Sequence, residues 1–301
     1  MTIRAYGSFL LLLTIWSPVI AKVVEEQTTV LVKVLDQNAQ EISHEIVVTL
    51  FRDDEAKTPY PLLVFNHGRD GTFEGRQKFG RVRYDKQLQW LAELGYLVAI
   101  PTRISYGVTG GPDVEDSGPC NDKNFAPGFL AAAKQTIELV GKLSQRRDVN
   151  ANQVTLVGWS FGGMTSLAVA SLNALKVNGI VVFAPGSGAN PPGPPCGVEG
   201  MTKLFMDYGR VSRVPTLWIS TENDSFFPSA VENSWFDAYR SGGAVGKHVM
   251  TPPHGENGHF FFVRGSESWR PLMLDFLTSN QLLPVARPLP VNTSSQAPIK
   301  N

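Results

Sequence analysis

The sequence predicts an α/β fold, with a mostly parallel central sheet of about eight strands flanked by helices. Three observations carry that reading. The short runs 62–65, 96–100, 154–157, 180–183 and 216–219 are apolar at nearly every position, as parallel strands covered on both faces must be. Segments with helical spacing lie between these runs. Two stretches rich in β-branched residues, 29–34 and 45–51, come before them with the polar stretch 36–41 between. They read as an antiparallel pair at a sheet edge.

The helices follow from apolar stripes. Tyr84, Leu88 and Leu91 form one stripe, closed by Gly95 as a C-terminal glycine. Ala133, Ile137 and Val140 mark a helix over 127–145, residues 162–175 a third that is rich in small side chains, and 269–277 the last. Further elements are expected as a helix near 228–240 and a strand at 248–250. Strand and helix in alternation imply right-handed crossovers. Residues 103–126 and 185–213, rich in Gly, Pro and Asp, interrupt the pattern. Each follows the C-terminal end of a strand, where open α/β sheets bind ligands. Both are expected as long loops that wall a pocket.

The 301 residues include 27 Lys+Arg and 27 Asp+Glu, and 43% are hydrophobic. That composition belongs to a packed domain and excludes a disordered chain. Balanced charge argues against nucleic acid as a partner, because binding driven by phosphates needs a basic excess. Arg4, the apolar run 9–16, Pro18 and the small residue Ala21 follow the order of a signal peptide over residues 1–21. The run falls short of the roughly 20 residues that cross a bilayer, so no stable membrane insertion is expected after cleavage. The expected organisation is signal peptide 1–21, one domain over 22–282 and a proline-rich flexible tail over 283–301, in a chain exported to the periplasm or the medium. Two cysteines cannot build a disulfide-dense scaffold or a four-thiolate zinc site. In an oxidising compartment Cys120 and Cys196, one in each long loop, are expected to pair.

Chemistry concentrates in three separated motifs. Gly158-Trp159-Ser160-Phe161-Gly162-Gly163 directly follows the strand 154–157 and opens a helix. A nucleophile on a sharp strand-to-helix turn needs glycines two residues to either side, where a Cβ would collide. Just past the strand 216–219, Asp224 is the candidate acid and Glu222 its alternative; the competing role for Asp224 is to cap the following helix. His259 lies on a loop near the end, with His254 as its rival. The order Ser160, Asp224, His259 suits a triad in which histidine takes the serine proton and the carboxylate orients the imidazole. Tyr106, Trp159, Phe226 and Phe227 flank these segments and are candidates for an aromatic pocket lining. Sequons occur at Asn292 and Asn223, although a glycan on Asn223 would cover the acid. Neither HExxH nor a GxxxxGK loop is present, so no metal and no cofactor is implied.

On these motifs the chain resembles the α/β-hydrolase superfamily over roughly residues 45–280, and within it the dienelactone-hydrolase-like and exported esterase branch. Dienelactone hydrolases proper carry a cysteine at the elbow, where this chain has Ser160. The resemblance implies an oxyanion hole built from the N–H of Phe161 and the N–H of Arg69 or Gly68, in the run Asn66-His67-Gly68-Arg69. His67 is then a loop-packing residue. The activity implied is hydrolysis of a small-molecule ester by an acyl-enzyme route. The same triad serves peptidases, and a catalytically inactive binding protein is the alternative outside enzymes. The oligomeric state is left open.

Overall fold

The computed structural model describes residues 22–284; the expected signal peptide and the tail beyond Pro284, including the Asn292 sequon, lie outside the described residues. The chain opens with two long strands, β1 (Val23–Leu35) and β2 (Glu41–Asp53), paired antiparallel along their whole length. Strand β3 (Tyr60–Asn66) is followed by the short helix α1 (Phe73–Gln77), helix α2 (Asp85–Glu93) and strand β4 (Leu97–Thr102). Gly95, at φ +102° after α2, is the expected helix-ending glycine. Then come α3 (Ala126–Leu143), β5 (Val149–Trp159), α4 (Phe161–Ser171) and β6 (Gly179–Phe183). The last part contains α5 (Val198–Val211), β7 (Thr216–Thr221), α6 (Ser229–Ser241) and β8 (Gly246–Thr251). A 3-10 turn (Gly258–Phe260), α7 (Phe261–Arg264) and α8 (Ser266–Ser279) complete it.

The strands form one sheet in the order β1-β2-β4-β3-β5-β6-β7-β8. The β1–β2 and β2–β4 contacts are antiparallel and the rest parallel, so the expected edge pair is present. The continuous apolar runs divide between two cores by simple alternation. Leu62 and Val64 of β3 belong to one core with Phe129 of α3, Met164 of α4 and Phe205 of α5. Leu63 and Phe65 face the other way, toward Leu88 and Leu91 of α2 and Trp269 of α8.

One expectation is corrected. Residues 185–213 are not loop throughout, because α5 occupies their second half. Its Met201 and Phe205 are fully buried at helical spacing. Residues 103–125 do remain largely irregular, with a single bridge between Tyr106 and Gly110. Among the described residues no helix is long and apolar enough to cross a membrane.

Candidate active site

Ser160 sits between β5 and α4 with φ 57° and ψ −124°, a backbone state that L-residues occupy at a cost of about 1–3 kcal/mol. The turn is closed by contacts that only glycine allows. A Cβ on Gly158 would lie 2.1 Å from the Gly162 carbonyl oxygen, and one on Gly162 would lie 2.0 Å from that of Asn66. Asn66 is itself pinned, since its Nδ2 donates to Ser166 Oγ at 3.1 Å and its Oδ1 accepts from Thr136 at 2.8 Å. Ser160 is half-buried at the C-terminal end of the sheet.

Asp224 and His259 are brought together. His259 Nδ1 lies 2.8 Å from Asp224 Oδ2, and both residues are buried. The other oxygen, Oδ1, accepts the N–H groups of Phe226 and Phe227 at 2.7 and 2.9 Å. Asp224 thus turns its own loop and does not cap α6, whose N-cap is Pro228. Asn257 braces the histidine, with Oδ1 accepting from the N–H of His259 and of Ser225. The alternatives lie elsewhere. Glu222 is exposed, and the His254 ring packs edge-on to Phe261 while the backbone N–H of His254 donates to Asn223 Oδ1. Asn223 also donates from Nδ2 to the Gly255 carbonyl at 3.0 Å, so the amide of this sequon is already engaged.

The loop after β3 approaches the elbow from the opposite side. A Cβ on Gly68 would stand 3.5 Å from Ser160 Cβ. His67 is fully buried, and its Nε2 accepts the N–H of Arg103 at 3.3 Å while Nδ1 donates to the Gly68 carbonyl at 2.7 Å. Burial, and then the adjacent Arg103 charge, hold its pKa well below the ordinary value, so the ring is neutral with its proton on Nδ1. The Arg69 side chain points away into a two-pronged pair with Asp113, at 2.7 and 2.8 Å.

The four aromatic candidates are divided. Phe226 lies with its ring 4.4 Å from that of His259. Phe227 is buried against His259 and Trp235. Trp159 lines an open cleft of about 720 Å³, together with Asp70, Glu74, Phe79, Tyr84 and Phe260. Tyr106 is fully buried, its hydroxyl donating to Glu115 at 2.7 Å. A smaller cavity of about 320 Å³, lined by Pro215, Thr216 and Leu272, is at the other end of β7, away from this constellation.

Cys120 and Cys196 are joined by a disulfide, which ties the irregular segment before α3 to the one before α5. Sequence reasoning missed Arg103 and Glu115, a fully buried ion pair behind the β3 loop. Each looks alone like an ordinary loop charge, and nothing local marks them as partners.

The model of the alpha/beta hydrolase family matches residues 63–291. A search of curated proteins finds no match to the sequence. Among solved structures, the chain is similar to a protein of Klebsiella pneumoniae subsp. pneumoniae assigned as a dienelactone hydrolase, at 16% identity and a TM-score of 0.56, covering 85% of this chain and 99% of that one. It is likewise similar to acetyl xylan esterase from Paenibacillus sp. R4, at 16% identity and a TM-score of 0.57, covering 87% and 89%. A third likeness is to the acylaminoacyl peptidase of Pyrococcus horikoshii, at 13% identity and a TM-score of 0.59, covering 88% of this chain but 43% of that longer one. At such identities these likenesses are of fold. The family match runs from within β3 past the end of α8, and the strand order accompanies it: the chain belongs to the alpha/beta hydrolase family.

Proposed function

We propose that this hydrolase is an exported serine esterase, with Ser160 as nucleophile, His259 as general base and Asp224 as the group that orients it. The observation that carries the reading is the buried 2.8 Å contact of His259 Nδ1 with Asp224, on a loop fastened to the residue before Ser160. A serine hydroxyl is a weak nucleophile, so the Nε2 of His259 takes its proton as the oxygen attacks the ester carbonyl. Asp224 then stabilises the imidazolium. Negative charge gathers on the former carbonyl oxygen, where the N–H of Phe161 and an N–H of Gly68 or Arg69 receive it. The Phe161 N–H belongs to the first turn of α4, where amides have no intrahelical acceptor. His259 returns the proton to the departing alcohol, leaving an acyl group on Ser160. Water, deprotonated by the same histidine, releases the acid.

Esters are favoured over amides by the company the fold keeps. The acetyl xylan esterase and the assigned dienelactone hydrolase are covered nearly end to end, whereas the acylaminoacyl peptidase is more than twice as long as the part matched. The Cys120–Cys196 bridge suits an oxidising compartment. The test is labelling with a fluorophosphonate probe, wild type against Ser160→Ala, then turnover of p-nitrophenyl esters and aminoacyl amides. Labelling is expected to vanish in Ser160→Ala and esters to turn over faster. Labelling that survives the substitution removes the assignment, and faster amide turnover makes the protein a peptidase.

A further inference from the structure

Arg103 follows β4, and its side chain is fully enclosed. Its guanidinium reaches the β3 loop with two prongs, Nη1 donating to the His67 carbonyl at 2.7 Å and Nη2 to the Gly68 carbonyl at 3.2 Å. These carbonyls belong to the two peptide units whose amides are the N–H groups of Gly68 and Arg69. In a trans peptide, C=O and N–H point in opposite directions. A cation holding both carbonyls from one side therefore turns both N–H groups to the other, away from itself. The same guanidinium lies 5.4 Å from the centre of the Phe161 ring, so it also packs on the side chain of the residue whose N–H is the other proposed donor.

Arg103 is in turn held from behind. Its Nε donates to Glu115 Oε1 and its Nη2 to Glu115 Oε2 at 3.2 Å. The Tyr106 hydroxyl also donates to Glu115 Oε2, while Asp113 holds Arg69 in the closer, two-pronged pair and leaves its Nη1 3.7 Å from Glu115 Oε2. Burial opposes the charge on Arg103, but the Glu115 carboxylate outweighs it and holds the guanidinium proton more tightly than usual.

We propose that Arg103, clamped by Glu115, is a positioning residue that sets the direction of the oxyanion donors at Gly68 and Arg69. It touches no substrate; it fixes the peptide planes that do. A hydrogen bond at each carbonyl also polarises the amide and strengthens its N–H as a donor. The inference rests on the reading of Ser160 as nucleophile.

The test uses the full chain with a p-nitrophenyl ester and a trifluoromethyl ketone, which forms a hemiketal oxyanion on the serine. Arg103→Lys keeps the charge but loses the planar fork. Glu115→Gln keeps the shape but weakens the clamp. In each, kcat is expected to fall about ten- to a hundredfold with KM within about twofold, since the lost interaction serves the transition state. The inhibition constant of the ketone is expected to rise by the same factor. A residue that merely supported the fold would lower the melting temperature without this paired loss. Arg146→Lys, at the pair with Asp148 far from the loop, is expected to leave both quantities unchanged. Wild-type kcat in the folded variants, or a loss expressed only in KM, overturns the proposal; if Arg103→Lys does not fold, Glu115→Gln decides. Activity that persists in Ser160→Ala instead defeats the nucleophile assignment, and so the two failures are told apart.

Discussion

The indole N–H of Trp159 donates a 2.8 Å hydrogen bond to the carbonyl of His259, 100 residues away in sequence. The residue before the elbow serine is thereby fastened to the loop that carries the imidazole, and the two rings lie 5.7 Å apart. Trp159→Phe retains an aromatic body but leaves a buried carbonyl unpaired, which costs about 1–2 kcal/mol. Denaturant unfolding should register that loss, and kcat on a p-nitrophenyl ester should fall about tenfold as the imidazole loses its register. Unchanged kcat at reduced stability would confine Trp159 to a packing role.

The elbow glycines should be far less tolerant than a helix glycine. Gly162→Ala puts a Cβ 2.0 Å from the Asn66 carbonyl oxygen, and the backbone there has nowhere to move. A loss of about 3 kcal/mol or more is expected, or failure to accumulate as soluble protein. Gly141→Ala, on an exposed position of α3 with nothing within 4 Å, should stabilise by about 0.5 kcal/mol. Equal melting temperatures for the two variants would contradict the close approach of β3 and α4.

Glu232 should make stability fall as pH rises. It is fully buried on α6, with Oε2 accepting from Trp218 Nε1 at 2.7 Å and from Ser220 Oγ at 2.9 Å. Its Oε1 has no hydrogen-bond partner among the described residues. Burial, with the nearby Asp224 charge adding, raises its pKa well above the ordinary 4.5. The folded chain keeps a proton that the unfolded chain gives up. The stabilisation is therefore complete below about pH 4.5 and is lost as pH climbs through the folded value. Glu232→Gln cannot ionise, so its melting temperature should gain on that of the wild type from pH 5 to pH 9. Parallel curves would show that Glu232 does not hold the proton.

The Cys120–Cys196 bridge, with a Cα–Cα distance of 5.1 Å, closes 76 residues of sequence. In the chain-entropy account such a closure stabilises by up to about 4–5 kcal/mol. The double variant Cys120→Ser, Cys196→Ser should melt about 10 °C lower, and thiol titration of the denatured, unreduced wild type should find no free sulfhydryl. Two titrating thiols would remove the bridge.

The sheet was readable because its strands are covered on both faces, so that runs such as Leu62 to Phe65 or Ile180 to Phe183 are apolar without alternation. The elbow was readable because steric demand at Gly158 and Gly162 is written in the residue types themselves. Helix α5 was hidden by the property that lets it pack. Its Gly209 and the nearby Gly242 let α5 and α6 approach until a Cβ on Gly209 would meet the Tyr239 carbonyl oxygen at 2.0 Å. Glycine within a helix weakens the local signal, and the Pro- and Gly-rich residues before Val198 weaken it further. The stripe of Val198, Met201 and Phe205 was the available clue. The Arg103–Glu115 pair was out of reach for a different cause. A loop spacing of twelve residues carries no periodicity, and only the folded path brings the two side chains together.

Because one sulfur–sulfur bond spans the two irregular segments, any protease cut between residues 120 and 196 yields two fragments that stay tethered. A nicked molecule would migrate as a single band without reductant and as two with it. A single cut in the rim would therefore leave both pieces held as one covalent body.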